Sequence, residues 1–388
     1  NNIPEFIRAI KEEDIKKAYD ILSETTVLES VCGRICPHMK QCEGSCVRGI
    51  KGSPVNIGDL EAYVGDIAIK NGYKISEINR KNKDKKIAIV GGGPAGITAS
   101  AFLLKKGFSV TLFEKYNYLG GLLVHGIPEF RLPKDIVKNT IQKIIDLGLD
   151  VKYNFELGKN LSLNELEKNF DAIFLAYGAN VTTKIGIEGE GLKGVYGGNQ
   201  LLEYKNHPDY KGKKVAVIGG GNVAMDCART IKRLGAENVK IIYRRAEEQM
   251  PAETKEIQEA KNEGIEFLFQ NNIVKIIGKD KVEKLELIKT KLVQKDGETR
   301  KVPINIENSN YIIDMDYVVM ALGSMPESFT IDLGLVLNKY GYIYIDENYQ
   351  TSNKKIFAGG DIAGCKSTVA WAARSGRDAA NKISEFLS

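Results

Sequence analysis

The stretch Lys85–Gly96, KKIAIVGGGPAG, decides the fold because a short apolar strand runs directly into a glycine-rich turn. A helical run and a second apolar segment follow, and that segment ends at Glu114. Gly91 permits a tight turn, Gly93 lets backbone N–H groups approach a pyrophosphate, and Gly96 lets the helix pack on the strand. The acid lies 18 residues beyond Gly96, where it can accept hydrogen bonds from a ribose diol. The pattern indicates a dinucleotide-binding unit rather than an ordinary glycine turn.

The pattern returns 128 residues further on as Lys213–Ala224, KKVAVIGGGNVA, which predicts a second dinucleotide unit. Here Tyr243 takes the position of Glu114, and Arg244 and Arg245 follow it. A carboxylate would repel a ribose 2′-phosphate, whereas guanidinium groups bind one. The second unit is therefore predicted to bind NADP, and a solvated strand end with two surface arginines is the alternative.

Composition sets the broad class of the protein. The chain has 388 residues, 43% hydrophobic and 27% charged, which predicts a soluble globular protein of two or three domains. A net charge of +5 is too slight to indicate nucleic-acid binding. No apolar run is long enough to span a bilayer and no signal peptide is evident, so we expect a cytoplasmic protein. The chain begins without Met, and we expect further residues upstream.

The N-terminal segment has a different character. Apolar residues at helical spacing between residues 3 and 22 predict one or two amphipathic helices. The run Val31–Gly49, VCGRICPHMKQCEGSCVRG, then places Cys32, Cys36, Cys42 and Cys46 within fifteen residues. Their spacings of three, five and three intervening residues favour an iron–sulfur cluster over zinc, which prefers CxxC pairs. Structural thiols are the third alternative, and we expect the histidine within the run to be solvated.

The remainder of the chain completes the expected domains. Residues 72–84 are polar and predict a linker, and isolated Cys227 and Cys365 are expected to pack as small apolar side chains. A strand from Ile356 ends at Asp361, which is placed to hold ribityl or pyrophosphate oxygens, and a helix follows from Thr368. We expect the N-terminus of that helix to face the pyrimidine edge of a flavin.

Several motifs together point to one family. GGGPAG with the acid, GGGNVAMD with the two arginines, and AGGD with TVAWAARSGR resemble the flavoprotein disulfide reductases with two dinucleotide folds. With the cysteine run and GIPEFRLPK, the whole chain is similar to the small (beta) subunits of NADPH-dependent glutamate synthase and to the N-terminal half of dihydropyrimidine dehydrogenase. The resemblance implies an α/β fold with two Rossmann-like domains after a small helical, cysteine-rich Fe–S domain. The expected divisions are an Fe–S-type domain (1–80), an FAD domain in two parts (81–205 and 322–388) and an NADPH domain (206–321).

The resemblance also implies the ligands of each cofactor. FAD would lie on Gly91, Gly93, Pro94, Ala95, Gly96, Glu114, Lys115, Gly121, Leu122, Arg131, Ala176, Gly178, Gly360, Asp361, Thr368 and Val369. NADPH would lie on Gly219, Gly221, Asn222, Val223, Ala224, Arg244, Arg245 and Gly323. Two [4Fe–4S] clusters in the intact protein would use Cys36, Cys42, Cys46 and Glu61 with upstream ligands that this sequence lacks. Cys32 is a further candidate, since the alternative is that all four cysteines hold one cluster in another way. We therefore expect this chain to bind FAD firmly and the clusters poorly.

The implied activity is electron input. NADPH would pass hydride to FAD, and electrons would continue through the clusters to a large catalytic subunit that makes glutamate from glutamine and 2-oxoglutarate. No catalytic acid or base is expected, because hydride passes directly between the cofactor rings. One alternative is the NADPH-binding subunit of a ferredoxin:NADP oxidoreductase, of the electron-bifurcating kind, or of a sulfide-type oxidoreductase. The other is a non-catalytic flavin-binding scaffold. An intact NADP site argues against the scaffold.

Overall fold

The two glycine-rich turns lie in separate units of the chain. The computed structural model describes residues 1–75, 82, 84–294, 301–365 and 367–388. The first unit comprises Asn1–Val124, Glu129–Ala179 and Pro326–Ser388, and the second comprises His125–Pro128 and Asn180–Met325. The predicted linker falls largely outside the described residues, and so does the boundary predicted at residue 80. The other predicted domain boundaries, at 205 and 321, stay predictions, while these compact units change over at 179 and 325.

The cysteine-rich segment folds as helices. They are α1 (Ile3–Lys11), α2 (Ile15–Ser23), α3 (Glu29–Ile35) and α4 (Ile57–Lys70). Asp14 begins α2 by accepting a hydrogen bond from the backbone N–H of Lys17. Phe6, Tyr19 and Val64 are completely buried among these helices, which gives the segment its own apolar core.

Strands and helices alternate through the first glycine turn. They are β1 (Lys86–Val90), α5 (Pro94–Lys105), β2 (Ser109–Glu114), α6 (Leu122–His125), α7 (Lys134–Ile145), β3 (Asp150–Tyr153), α8 (Leu163–Asn169) and β4 (Ala172–Leu175). The alternation continues through the second turn with β5 (Val181–Thr182), β6 (Val195–Gly197), α9 (Gly198–Tyr204), β7 (Lys214–Ile218), α10 (Asn222–Arg233), β8 (Asn238–Tyr243), α11 (Thr254–Asn262) and β9 (Glu266–Phe269). The chain then forms β10 (Asn271–Ile277), β11 (Lys284–Val293), β12 (Val302–Asn305), β13 (Tyr311–Asp314), β14 (Tyr317–Met320) and β15 (Ser324–Met325), and it ends with β16 (Ile356–Ala358) and α12 (Val369–Leu387).

Each glycine turn lies at the centre of a parallel sheet. The first sheet has the order β3-β2-β1-β4-β16 and the second has the order β9-β8-β7-β14-β6, with every pairing parallel. Parallel strands need helices on both faces, which is why the central strands read as continuous apolar runs. In both sheets the turn follows the central strand at its carboxyl end, where such folds bind ligands. The predicted fold class, with two Rossmann-like domains, is confirmed.

Helix packing and an antiparallel layer complete the two units. In the first unit α12 packs on α5 so closely that a Cβ at Gly376 would lie 2.1 Å from the carbonyl oxygen of Ala95. In the second unit β11 pairs antiparallel with β10, β12 and β13. None of the helices in the described ranges is both long and apolar enough to cross a membrane.

A buried arginine joins two helices of the second unit. Arg229 of α10 is 2% exposed. Its guanidinium contacts the carboxylates of Glu256 at 2.5 Å, Glu259 at 2.5 Å and Glu263 at 2.9 Å. Arg233, one turn further along α10 and half-exposed, contacts Glu263 at 2.7 Å. The network fixes α11 against α10, the helix that begins at the second glycine turn.

Replacing Arg229 by Ala should destabilise the second unit strongly. The change removes the guanidinium that three carboxylates share and leaves Glu256 buried beside it, which costs about 3 kcal/mol in the free energy of unfolding. The matched control is Arg233→Ala, which removes an exposed pair and should cost less than about 1 kcal/mol. Urea unfolding followed by circular dichroism measures both, and equal losses would contradict the assignment.

Candidate functional site: two nucleotide-binding turns

The three predicted glycines of the first turn each meet a different physical requirement. Gly91 has φ of +104°, and a Cβ there would lie 2.6 Å from the carbonyl oxygen of Ala176. A Cβ at Gly96 would lie 1.9 Å from the carbonyl oxygen of Gly91, so only glycine lets α5 approach the turn. A Cβ at Gly93 would meet no atom within 4 Å. The space in front of α5 is therefore open, as an incoming phosphate requires.

Glu114 closes the turn from the end of β2. Its Oε2 accepts a hydrogen bond from the backbone N–H of Gly92 at 2.7 Å, and its Oε1 accepts one from Tyr116 N–H at 3.0 Å. Burial raises the pKa of this carboxyl. Each carboxylate oxygen keeps a further lone pair, so Glu114 can hold the turn and also accept from a diol.

Asp361 lies at the same edge of the first sheet, just beyond β16. Burial raises its pKa to about 6, and its Oδ1 is buried without a hydrogen-bond partner. The neighbouring Gly360 N–H donates to Ser375 Oγ at 2.8 Å, and that hydroxyl donates to the carbonyl of Ala372 at 2.7 Å. Ser375 thus anchors the acid-bearing turn to α12. Nothing in the sequence pattern identified it.

The structure brings several other predicted residues to this turn. A Cβ at Gly121 would lie 3.0 Å from Gly93 Cα, and one at Gly360 would lie 3.0 Å from Ala95 Cβ. Thr368 caps α12 by accepting a hydrogen bond from Trp371 N–H. The other predicted residues lie at the ends of elements. Helices α5, α6 and α12 begin at Pro94, Leu122 and Val369. Lys115 follows β2, Gly178 follows β4, and half-buried Arg131 precedes α7.

The second turn repeats the geometry of the first. Gly219 has φ of +142°, and a Cβ there would lie 2.3 Å from the carbonyl oxygen of Ala321. A Cβ at Gly221 would meet only Pro251 Cγ, at 3.9 Å, so the space before α10 is also open. Asn222 Oδ1 accepts from Glu253 N–H at 3.0 Å. The remaining predicted positions are Val223 and Ala224 in the first turn of α10 and Gly323 just after β14.

The second copy has a tyrosine at the position where the first copy has Glu114. The ring of Tyr243 lies against Gly220, where a Cβ would be 2.6 Å from Tyr243 Cδ2. Arg244 follows at the end of β8 with an exposed side chain, and Arg245 is half-buried. The Nε of Arg245 is buried without a hydrogen-bond partner. This orphaned donor is suited to an anion.

The cysteines of the N-terminal helices do not assemble into a metal centre. Cys32 is buried in α3, and a hydrogen bond with Cys36 together with burial holds its pKa well above the usual range. Burial raises the pKa of Cys42 to about 11, whereas backbone hydrogen bonds near Val55 lower that of Cys46. Across the described ranges, no three His, Cys, Asp or Glu side chains converge as metal ligands.

Glu61, the predicted non-cysteine ligand, lies inside the helical segment. Its Oε1 accepts a hydrogen bond from Asn1 Nδ2 at 3.3 Å, and burial raises its pKa to about 8. The histidine within the cysteine run is half-buried rather than solvated, since His38 Nε2 lies 3.2 Å from the carbonyl oxygen of Cys32. On their own, these residues do not fit a cluster.

Comparison with known proteins identifies relatives along the whole chain. Residues 85–379 match the family described as pyridine nucleotide-disulphide oxidoreductase, and residues 1–73 match dihydropyrimidine dehydrogenase domain II, 4Fe-4S cluster. The glutamate synthase (NADPH) small chain of Halomonas elongata is 35% identical over 100% of this chain and 86% of its own length. The NADP(+)-dependent formate dehydrogenase subunit beta of Moorella thermoacetica is 34% identical over 100% of this chain and 58% of its own. FprA of Mycobacterium tuberculosis, solved in complex with NADPH, shares the fold with a TM-score of 0.70 at 22% identity, covering 78% of this chain and 84% of that one.

These matches imply the cofactors, and the two turns fit the nucleotides. The oxidoreductase family implies FAD and NADPH, and the N-terminal match suggests a 4Fe–4S cluster. The first turn offers open space at Gly93 and the unpartnered buried Oδ1 of Asp361. The second offers open space at Gly221 and the unpartnered buried Nε of Arg245.

Replacing Gly93 by Ala should separate cofactor binding from folding. The added methyl meets no protein atom and the backbone is not strained, so the free energy of unfolding should change by less than about 1 kcal/mol. If FAD lies on this turn as the sequence predicts, the methyl enters the space that its pyrophosphate would take and should weaken FAD at least about tenfold. Calorimetry with FAD measures this. The control Gly191→Ala, at another open glycine, should leave FAD unaffected, and a full FAD affinity in the Gly93 variant would refute the placement.

Replacing Asp361 by Asn should stabilise the FAD-free protein at neutral pH. Because burial raises the folded pKa of this carboxyl from about 4 to about 6, the unfolded chain loses the proton first and stability falls across that window. The difference between the two pKa values lowers the free energy of unfolding by about 3 kcal/mol, and this loss is complete above pH 6. Asp361→Asn should therefore gain up to that amount at pH 7.5, gain less at pH 4.5, and bind FAD more weakly. Urea unfolding at both pH values is the measurement, with exposed Asp332→Asn as control, and a pH-independent gain would contradict this.

Proposed function

We propose residue roles and a partner for this chain, which belongs to the pyridine nucleotide-disulphide oxidoreductase family and is related along its full length to glutamate synthase small chains. The chain is an NADPH-dependent flavin oxidoreductase that serves as an electron-input subunit. Our assignment puts FAD on the first turn and NADPH on the second. One observation carries it: both turns share the GGG pattern, but the strand after the first ends in Glu114, whereas the strand after the second ends in Tyr243 and is followed by two arginines.

The first turn would hold the flavin nucleotide through backbone and carboxyl groups. The exposed N–H groups at the start of α5 would bind the pyrophosphate, because Gly93 leaves them open. Glu114 would accept from the ribose, and Asp361 would accept from ribityl or pyrophosphate groups with the oxygen that now has no partner. Thr368 and Val369, at the start of α12, would lie beside the pyrimidine edge, where a helix N-terminus favours negative charge.

The second turn would select the phosphorylated nucleotide. Gly221 and the start of α10 would bind its pyrophosphate, and Arg244 and Arg245 would bind its 2′-phosphate. Bound FAD and NADPH would supply hydride transfer between their rings and the later release of single electrons. The protein contributes binding, orientation and electrostatics, and no side chain is assigned as a catalytic acid or base. We assign no step to an iron–sulfur cluster, because the described thiols do not converge.

We propose a large catalytic subunit as the partner, as in a glutamate synthase that makes glutamate from glutamine and 2-oxoglutarate. The relation to small chains of that enzyme, over the full length of this chain, supports the proposal. A cytoplasmic location fits the six cysteines, all of which are free thiols. A second candidate partner is a different oxidoreductase subunit, because a formate dehydrogenase subunit is almost equally similar over the whole chain. Reconstituted glutamate formation with a purified large subunit would distinguish them.

Replacing Arg244 and Arg245 together by Ala should abolish the preference for NADPH. Each charge-assisted contact with the 2′-phosphate contributes about 1.5–3 kcal/mol, so NADPH should weaken about 100-fold or more and NADH less than about threefold. The measurement is flavin bleaching in the visible spectrum, recorded anaerobically during titration with each nucleotide.

The matched control for this change is the double variant Lys279→Ala with Lys281→Ala, which removes the same charge from exposed positions of the same unit. It should change neither titration. Equal losses for NADPH and NADH in the arginine variant would remove the specificity assignment. A parent flavin that neither nucleotide reduces would overturn the electron-input role.

A further inference from the structure

The second glycine of each turn faces the residue that ends the next strand. In the first fold that residue is Glu114, whose carboxylate accepts from Gly92 N–H at 2.7 Å. In the second fold the equivalent place beside Gly220 is filled by the ring of Tyr243. An uncharged ring therefore stands where the first fold carries the acid for a ribose diol. This substitution alone removes a charge that would repel a 2′-phosphate.

The hydroxyl of Tyr243 makes a second contact that the first fold lacks. It donates to the backbone carbonyl of Gln249 at 2.7 Å. The contact ties the end of β8 to the loop that follows it, residues 244–251, which we call the arginine loop. The carbonyl of Gly220 accepts from Ala252 N–H at 3.1 Å, just beyond the end of this loop. The loop is thus tied to the glycine turn both through the tyrosine and through the backbone.

The start of the arginine loop is fixed by the neighbouring strands. The carbonyl of Arg244 accepts from Thr290 Oγ1 at 2.8 Å, and the carbonyl of Arg245 accepts from Gln270 N–H at 3.0 Å. Glu247 in the middle of the loop pairs with Lys261 of α11 at 2.6 Å. The backbone of both arginines is therefore held in place before any ligand arrives, which lowers the entropic cost of binding.

We propose that Tyr243 is a specificity-determining positioning residue for the nucleotide that carries a 2′-phosphate. Its ring keeps the place beside Gly220 free of charge, and its hydroxyl holds the arginine loop so that Arg244 and Arg245 are preorganised for the phosphate. The proposal rests on the assignment of NADPH to the second fold. It adds that the two arginines need the tyrosine hydroxyl to discriminate fully between nucleotides with and without a 2′-phosphate.

The test is calorimetric binding of 2′,5′-ADP and 5′-AMP to the oxidised protein, because these probes differ only in the 2′-phosphate and involve no hydride transfer. Tyr243→Phe keeps the ring and removes the hydroxyl. It should weaken 2′,5′-ADP about fivefold, as expected for one hydrogen bond, and 5′-AMP less than about twofold. The matched control is Tyr311→Phe, which removes a hydroxyl that donates to Asn271 Oδ1, also at 2.7 Å, in the antiparallel layer of the same unit. That variant should change neither affinity.

A second variant, compared with Tyr243→Phe, tests the effect of a charge beside Gly220, because the hydroxyl is lost in both. Tyr243→Glu restores an acid beside Gly220 and should lower 2′,5′-ADP affinity by at least about 50-fold while 5′-AMP binding is retained or improved. The ratio of the two affinities is measured within each variant, so partial unfolding cannot mimic the effect.

The outcomes separate this proposal from the one on which it rests. If the parent protein binds both probes equally, the NADPH assignment fails and the role of Tyr243 fails with it. If the parent prefers 2′,5′-ADP but Tyr243→Phe has the same ratio of affinities, the NADPH assignment stands and the positioning role is overturned. A fivefold loss confined to 2′,5′-ADP and to Tyr243→Phe supports it.

Discussion

The distance between each nucleotide-binding helix and the turn before it is the constraint on which both sites depend. In the first fold, a single Cβ at Gly96 would lie 1.9 Å from the carbonyl oxygen of Gly91 and would force α5 away from the sheet. In the second fold Ala224 takes the matching position, and the turn keeps its closest contact at Gly219 instead. The second copy therefore accommodates a methyl group at the position where the first copy has no room for one.

The two copies also show how one architecture can bind two different nucleotides. Both have a parallel sheet of the same order around the turn, and both leave the third glycine of GGG open. They differ in the residue that ends the second strand, which is an acid bonded to the turn in one copy and a tyrosine bonded to a loop in the other. A change at one strand end thus alters the charge beside the turn and the hydrogen bonding of the loop that follows.

Two carboxyl groups of the first unit are buried at a cost to the stability of the folded protein. Asp361 has a buried oxygen without a partner and a raised pKa, and it would be more stable in this place as an uncharged group. Glu61 among the N-terminal helices is also buried with a raised pKa. Asp361 keeps a buried oxygen that a bound nucleotide would partner, whereas Glu61 already accepts a hydrogen bond from Asn1.

The sequence by itself determined the two dinucleotide folds and the helical N-terminal segment, and it predicts that the second fold prefers a phosphorylated ribose. These features are local: a glycine pattern, a strand period and a strand-end residue are all written within about 30 consecutive residues. The repeated pattern could also have revealed Gly92 and Gly220, because both occupy the same place in the two copies. Only the tertiary structure decided that Ser375 anchors the turn of Asp361, that Tyr243 reaches Gln249, and that Arg229 binds two carboxylates of α11 and a third directly after it. It also showed that four cysteines close in sequence do not converge on a metal site within the part of the chain that is described. Such contacts depend on the angle at which separate elements pack and on which side chains then meet, and no short-range pattern in the sequence encodes that angle.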